Sequence, residues 1–313
     1  MYMSLKRVLE SAFPDLYGAL REKKQEVNYR RRRKTNPSLY PELLEKRYFE
    51  ITGRQMDILH PKTYSEKIQW LKLYDPNPLR TTLTDKVAVR QWVSDVAGEQ
   101  YLVPCYGVFD SFDEIDFDSL PNAFVLKTNH SSGWNIVVKD KKTFDAKKAR
   151  KQFQKWMSRD YAFWAEYEPH YSGIKPKILV EQYLEDSNGE LNDFKFLCFD
   201  GKPEYVWVDY DRFTEHKRNV YDMSWILQPW SQFTYPRYEP VGGVPVPEGF
   251  EEMVNLVKKL CPGFIHVRVD LYNVDGRVFF GEMTFTNGSG FEQLHPFEYE
   301  VEVGKMIKLP NQD

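Results

Sequence analysis

The sequence predicts an α+β chain. Apolar residues at helical spacing mark residues 64–96, 145–158 and 248–260 as helical. Short apolar runs closed by turn signals mark strands between and after them. The most telling segment is a strand pair near the C-terminus. It reads Ile265-His-Val-Arg-Val-Asp-Leu-Tyr272, then Asn-Val-Asp-Gly276, then Arg277-Val-Phe-Phe-Gly-Glu-Met-Thr-Phe285. Val267, Val269 and Leu271 alternate with His266, Arg268 and Asp270, so one face is apolar and the other charged. Charge beside a core is costly unless something pairs with it. Two carboxylates, Asp270 and Glu282, with Arg268 facing the same space point to bound metal and bound phosphate.

The 313 residues suffice for one large domain or two to three small lobes, and 42% hydrophobic with 16% aromatic residues can build a large core. A net charge of -3 does not point to nucleic acid. The charge is uneven, with 13 Lys/Arg against 8 Asp/Glu in residues 1–60. Cys105, Cys198 and Cys261 are far apart and odd in number, with no metal-ligand spacing and no disulfide framework. Cys198 and Cys261 read as buried thiols, and this usage fits a reducing compartment. The N-terminus lacks an apolar signal core, and no apolar run approaches the about 20 residues that span a bilayer. The expectation is a soluble, cytoplasmic protein.

Residues 1–60 look helical and polar, with a charge run from Arg30 to Lys34. That run is either a solvated helix face or flexible connection, or a docking patch for an anionic membrane or acidic partner. In 64–96, Ile68, Trp70, Leu71 and Leu73 form an apolar side, and Asp85-Lys86 opens a second helix. Residues 101–127 read as short strands and loops, ending in the buried strand Asn122-Ala-Phe-Val-Leu-Lys127. The polar loop Thr128-Asn-His-Ser-Ser-Gly-Trp134 follows, and Asn135 to Lys139 returns as a strand. Ala149, Phe153, Trp156 and Met157 form the core stripe of the 145–158 helix. Lys177 to Leu184 and Asp193 to Phe199 are further strands, the second closed by the tight turn Asp200-Gly201. Residues 209–240 are aromatic, charged and irregular, as substrate-contacting segments often are.

Four constellations carry chemistry. Lys127 ends a strand before Ser131, Ser132 and Gly133; a triphosphate needs such a charge and a loop whose backbone can approach closely. A solvent hairpin after a strand-end lysine reads the same way. Glu181, Gln182, Tyr183 and Leu184 leave a strand with unpaired backbone groups, which an adenine edge satisfies as well as an ordinary strand end does. Asp193 and Lys195 share a strand face, as an exposed ion pair or as partners of a ribose hydroxyl and a phosphate. For Asp270 and Glu282, a two-residue turn at Asp275-Gly276 puts them on opposite faces. A three-residue turn or one bulge puts them on the same face.

In this order these features resemble the ATP-grasp superfamily, and more narrowly the TupA-like ATP-grasp proteins associated with bacterial cell-surface polysaccharide synthesis. The resemblance lies in Phe124-Val-Leu-Lys127-Thr-Asn-His-Ser-Ser-Gly133, Asp193-Phe-Lys-Phe196, Val208-Asp-Tyr-Asp-Arg212 with Arg218, and Gly281-Glu-Met-Thr-Phe-Thr-Asn-Gly-Ser-Gly290, across roughly residues 63–310. It implies an ATP-grasp fold, the nucleotide held between two α+β lobes behind a helical N-terminal region. The lobes would run 1–62 (helical and basic), 63–120, 121–183 (small grasp lobe) and 184–313 (large grasp lobe). It implies that Lys127 and Lys195 touch ATP phosphates, that Ser131, Ser132 and Gly133 cover them, and that Glu181 to Leu184 line the adenine. Asp193 would reach the ribose, Asp270 and Glu282 would hold Mg²⁺, and Arg268 would stabilise the transferring phosphoryl group. Many ATP-grasp ligases place an asparagine two residues after the metal glutamate; here that position is Thr284, with Asn287 near but out of register.

The implied activity is ligation of a carboxylate to an amine through an acyl phosphate, with ATP and Mg²⁺. The expected acceptor is a uronic-acid carboxylate of a surface polysaccharide or precursor, and the nucleophile an amino acid or small amine. Arg212, Lys217 and Arg218 are candidates for gripping an anionic substrate, with His130 and His216 as polar contacts. Three rivals stand beside this reading: a phosphotransferase on the same fold, a glycosyltransferase using Asp209-Tyr-Asp211, and a non-catalytic ATP-binding scaffold. The Arg30–Lys34 run would place any of them against the inner membrane face or a polysaccharide assembly protein.

Overall fold

The structure is a computed structural model and describes residues 14–187, 189, 191–210, 215–232 and 235–310. Helix α1 (Pro14–Arg33) begins with proline, whose fixed φ suits a first helical turn. Its last turn is not a uniform solvated face. Arg32 is buried, donates to the Phe163 and Trp164 carbonyls at 3.2 and 3.1 Å, and pairs with Glu166 at 2.8 Å. Helix α2 (Tyr40–Thr52) ends at Gly53 in the left-handed region. Helix α3 (Tyr64–Tyr74) opens with a capping box between Thr63 and Glu66.

The inner face of α3 departs from the apolar side expected from the sequence. Ile68 and Leu71 are buried, whereas Trp70 and Leu73 are half-buried and Ser65, Gln69 and Lys72 are fully enclosed. These polar groups find partners across the molecule. Ser65 bonds to Glu300 at 2.7 Å and to Tyr48 at 2.7 Å, and Lys72 donates to the Glu166 carbonyl at 3.3 Å. Helices α4 (Leu79–Thr84) and α5 (Ala88–Val96) follow.

Two antiparallel sheets hold the rest. The first has the order β1-β4-β2-β3, formed by β1 (Cys105–Phe109), β2 (Phe124–Thr128), β3 (Asn135–Val138) and β4 (Ile178–Gln182). Its edge strand β1 lies N-terminal to the 121–183 span expected for the small lobe. Helix α6 (Ala146–Met157) presents Ala149 and Phe153 to one face of this sheet, against Phe124, Leu126, Ile178 and Val180. By strand alternation Lys127, Asn135, Leu179 and Glu181 share the opposite face. A short helix, α7 (Tyr161–Trp164), supports α1.

The second sheet has the order β10-β9-β5-β6-β7. Its strands are β5 (Asn192–Phe199), β6 (Lys202–Tyr210), β7 (Lys217–Asp222), β9 (His266–Val274) and β10 (Arg277–Thr284). β7 lies within the segment that reads as irregular; its buried Arg218 and Asn219 hide the alternation of an apolar strand. Helix α8 (Phe250–Leu260) seats Met253, Leu256, Val257 and Leu260 on the face that carries Phe196, Val206, Val267 and Val269. On the other face, α3 covers Leu197, Phe199 and Trp207, and the charged positions begin where that cover stops. A small pair, β8 (Ser231–Gln232) with β11 (Leu294–His295), and helix α9 (Glu298–Gly304) complete the chain. Cys198 and Cys261, distant in sequence, are both buried; Cys198 donates to the Phe196 carbonyl at 3.7 Å and Cys261 to the Gly201 carbonyl at 3.0 Å. No helix among the described residues is long and apolar enough to cross a membrane.

Candidate active site

A cleft of about 210 Å³ opens between the two sheets, bordered by Lys127 from the first and by Lys195, Asp270 and Glu282 from the second. In the large sheet Glu282 pairs with Asp270, and Asp270 with Lys195, so three charges form one row across β10, β9 and β5. A bulge creates this row. From Arg277–Val274 to Phe280–Leu271 the ladder keeps the register of a two-residue turn; Gly281 is then the extra residue. A Cβ on Gly281 would meet the Asp270 carbonyl oxygen at 2.9 Å, so the backbones approach too closely for a side chain.

Arg268 clamps Asp270, with Nε to Oδ1 at 2.7 Å and Nη2 to Oδ2 at 2.6 Å. It also donates to Thr284 Oγ1 at 3.1 Å and lies 3.7 Å from Glu282 Oε1. Thr284 donates to Glu282 at 3.3 Å, so the residue at the expected asparagine position orients the glutamate. Asn287 instead accepts from Tyr64 at 3.1 Å, away from the cleft. Burial pushes Asp270 up to about 6 against the pull of Arg268 and Lys195. Burial also opposes the charge on Glu282, but Lys86 and Arg268 hold its carboxyl below the usual range. For Arg268, burial is overcome by Asp270, and the guanidinium is held firmly charged.

Lys195 bonds to Asp193 and reaches Asp209 at 2.9 Å. Asp209 is gripped by Arg218 at 2.5 and 3.0 Å, and His216 Nε2 lies 3.0 Å from it. Burial is outweighed there by Lys195 and Arg218, which depress the Asp209 carboxyl strongly. Arg218 is buried, bonds to Asp209 and Gln232, and lies 5.1 Å from the Trp207 ring and 4.5 Å from the Tyr235 ring, so it positions Asp209. Lys217 lies over the Tyr238 ring at 5.7 Å, outside the cleft lining. Arg212 lies outside the described residues, as does Asp211 of the Asp-x-Asp spacing.

Lys127 pairs with Glu181 at 2.7 Å. Burial acts against its charge, but Glu181 and Tyr272 raise its pKa above the ordinary lysine value. The side chain of Glu181 is therefore a partner of Lys127. Gln182 is exposed, and Leu184 packs with Val103 and Phe279. Tyr183 lies under Lys139 at 5.3 Å. None of Glu181 to Leu184 lines the cleft itself.

The loop after Lys127 is anchored on one side and open on the other. Asn129 is fully buried, donates to Asp85 at 2.9 Å and the Lys175 carbonyl at 3.0 Å, and accepts from the Lys177 N–H at 2.6 Å. Ser131 is buried and bonds to Thr128. Ser132 and Gly133 are exposed at the tip, and Gly133 has φ 73, where other residues are strained.

Three site residues escaped the sequence reading. Lys86 donates to the Ser131 carbonyl and lies 3.5 Å from Glu282; locally it reads only as a helix opening. Arg90 donates to Glu181 at 2.9 Å and to the Val103 carbonyl at 2.9 Å. Tyr272, on the charged face of β9, lines the cleft; its alternation with Leu271 was the available signal.

Among the described residues no group of three or more His, Cys, Asp or Glu is gathered for a metal. Asp270 and Glu282 form a two-carboxylate set, the donor set Mg²⁺ takes when phosphate oxygens complete its shell. The Arg268 guanidinium already seats a positive charge between them. The residues therefore fit the ion.

Two α+β lobes that clasp lysines and paired carboxylates define an ATP-grasp protein. The chain belongs to the TupA-like ATP-grasp family, whose profile matches residues 66–308. Among solved structures it is similar to D-alanine–D-alanine ligase from Bacillus anthracis complexed with ATP, at 16% identity over 65% of this chain and 54% of that one, TM-score 0.37. It is also similar to N5-carboxyaminoimidazole synthetase from Staphylococcus aureus complexed with ADP, at 13% identity over 74% and 53%, TM-score 0.41. D-cycloserine synthetase DcsG matches at 16% identity over 77% and 74%, TM-score 0.36. The chain spans about half the length of the first two. Comparison with curated proteins returned no match.

Proposed function

We propose that the protein is an ATP- and Mg²⁺-dependent carboxylate–amine ligase acting through an acyl phosphate. Its acceptor is a uronic-acid carboxylate of a surface polysaccharide or precursor, and its nucleophile an amino acid or small amine. The observation that carries the reading is the row Glu282–Asp270–Lys195 facing Lys127 across one cleft, in a chain of this family. Lys127, Lys195 and Lys86 neutralise the ATP phosphates, and the Ser131–Gly133 tip closes over them. Asp193 reaches the ribose, and the adenine extends beyond the cleft lining to the backbone from Glu181 to Leu184. Asp270 and Glu282 hold Mg²⁺, which when bound draws charge from the phosphate oxygens. Arg268 then turns its free N–H groups to the transferring phosphoryl group.

The acceptor carboxylate oxygen attacks the γ-phosphorus and ADP leaves. The amine nitrogen attacks the acyl carbon, loses a proton, and inorganic phosphate departs. A reaction that consumes ATP belongs in the cytoplasm.

The test is ATP consumption with Mg²⁺ over a panel of uronic acids, each with and without amino acids and simple amines, followed by mass spectrometry. ADP and phosphate formed only with acid and amine together, plus an amide mass, is the expected result. A phosphorylated acceptor with no amine requirement would make the protein a phosphotransferase. Failure to bind ATP at all would overturn the reading.

A further inference from the structure

A second system of cavities lies away from the nucleotide cleft. A trough of about 850 Å³ runs between α1 and the end of α6. It carries Lys23, Arg30, Arg33, Lys34, Lys155 and Arg159 against two acids, Glu22 and Glu26. Glu26 is taken by Arg30 at 3.1 Å and Arg159 at 2.7 Å, and Glu22 by Lys155 at 2.5 Å. Lys23, Arg33 and Lys34 are exposed and have no acidic partner among the described residues. The trough continues inward. Tyr29, Arg33, Ser158 and Arg159 also line a cavity of about 240 Å³ that ends at His130 and Tyr171.

That inner end backs onto the active-site loop. His130 precedes Ser131, whose carbonyl receives Lys86, and it packs edge-on against Trp134 at 5.7 Å. Its ring is 2% exposed, its Nδ1 lies 3.3 Å from Asn129 Oδ1, and its Nε2 has no hydrogen-bond partner among the described residues. Burial lowers the proton affinity of the ring, and the Trp156 and Arg159 carbonyls facing it act in the other direction. Tyr171, at the same end, lies within electrostatic reach of Glu282 and Arg268.

We propose that this trough admits a negatively charged glycan, whose end enters the inner cavity and meets His130 Nε2 behind the 128–134 loop. Its role as the acceptor's path rests on the ligase reading; its affinity for anionic sugar does not. Arginine and lysine recognise carboxylates by charge-assisted hydrogen bonds. A volume of about 850 Å³ lies in the upper part of the roughly 300–1,000 Å³ range of small-molecule sites, which suits several linked rings. The recess favours a chain end over a bilayer surface, which needs its cations on an open face.

Isothermal titration calorimetry of the full chain with a galacturonic acid tetramer tests this, with a neutral cellulose tetramer as control. The tetramer should bind, and the neutral sugar should not. Arg33→Glu with Lys34→Glu should weaken binding at least tenfold. Ser158→Trp, at an exposed residue shared by both cavities, should do the same without changing charge. Thermal unfolding of each variant reports its fold. Unaltered binding by Ser158→Trp would reduce the effect to surface attraction and overturn the site. So would no tetramer binding, or binding of phosphatidylglycerol vesicles in its place. Tetramer binding by a protein that fails to bind Mg²⁺-ATP would keep the glycan site and remove only the ligase reading.

Discussion

Asp270 and Glu282 are directly opposed across β9 and β10, and Gly281 alone makes them so. Without that extra residue Glu282 would point to the α8 side of the sheet, into the apolar core. One glycine therefore decides whether the second carboxylate reaches the cleft.

Gly281→Val tests this. A Cβ there meets the Asp270 carbonyl at 2.9 Å and the Tyr272 ring at 3.3 Å. Forcing these apart should cost about 1–3 kcal/mol in denaturant unfolding. Mg²⁺-ATP affinity by calorimetry should fall at least tenfold. A folded variant that keeps its affinity would show that the paired carboxylates are not the metal site.

Lys127→Met removes a cleft cation but leaves Glu181 paired with Arg90 at 2.9 Å. Stability should change little, while the ATP-dependent rate should fall about 10²–10³-fold, as for other preorganised charge contacts. Lys195→Met should match it in rate but lose more stability, because Asp193 and Asp209 both lose a partner. Steady-state kinetics beside thermal melts would separate the two.

Asn129→Ala strips the anchor of the 128–134 loop. It deletes bonds to Asp85, Lys175 and Lys177 and leaves buried backbone groups unmet. Expect a loss of about 2–3 kcal/mol and a rise in KM for ATP larger than the change in kcat. A KM equal to that of the parent would mean the loop holds its shape unaided.

Acid should destabilise the protein partly through His266. Burial depresses this ring from 6.5 to about 4, with only the Cys198 carbonyl and Asn287 favouring its proton. Below pH 6.5 the unfolded chain takes up a proton that the folded chain refuses until about pH 4. Stability from this group is therefore whole above pH 6.5 and declines as the pH falls to about 4, by about 3 kcal/mol at most. Asp270 runs the other way, since its raised carboxyl loses stability as the pH rises through about 6. The difference between the parent and His266→Gln isolates the histidine. Melting temperatures from pH 7.5 to 4.5 should converge as acid is added; parallel curves would show that His266 is not the acid-sensitive group.

Much of the site was legible along the chain because strands write their faces into alternate residues. Arg268, Asp270, Asp193 and Lys195 each share a face within one strand, and the structure gathers them. The need for a bulge was legible as a condition; its place at Gly281 was not, because a bulge is settled by how two backbones approach. The surroundings of Arg218 were not legible, because Asp209, Gln232 and two aromatic rings enclose it only in the fold. Arg32 was hidden in the same way, inside a run of five cations.

The sequence by itself determined the α+β pattern, the charged strand faces, the glycine of the 128–134 loop and the family resemblance. Each of these is local, carried by period, turn chemistry or motif. Only the tertiary structure brought Lys86 to Ser131, 45 residues on, tied Arg90 to Glu181, and stopped the α3 cover where the charged end of the sheet begins. Those relations depend on which elements pack together, and packing is set by shape and burial summed over distant segments.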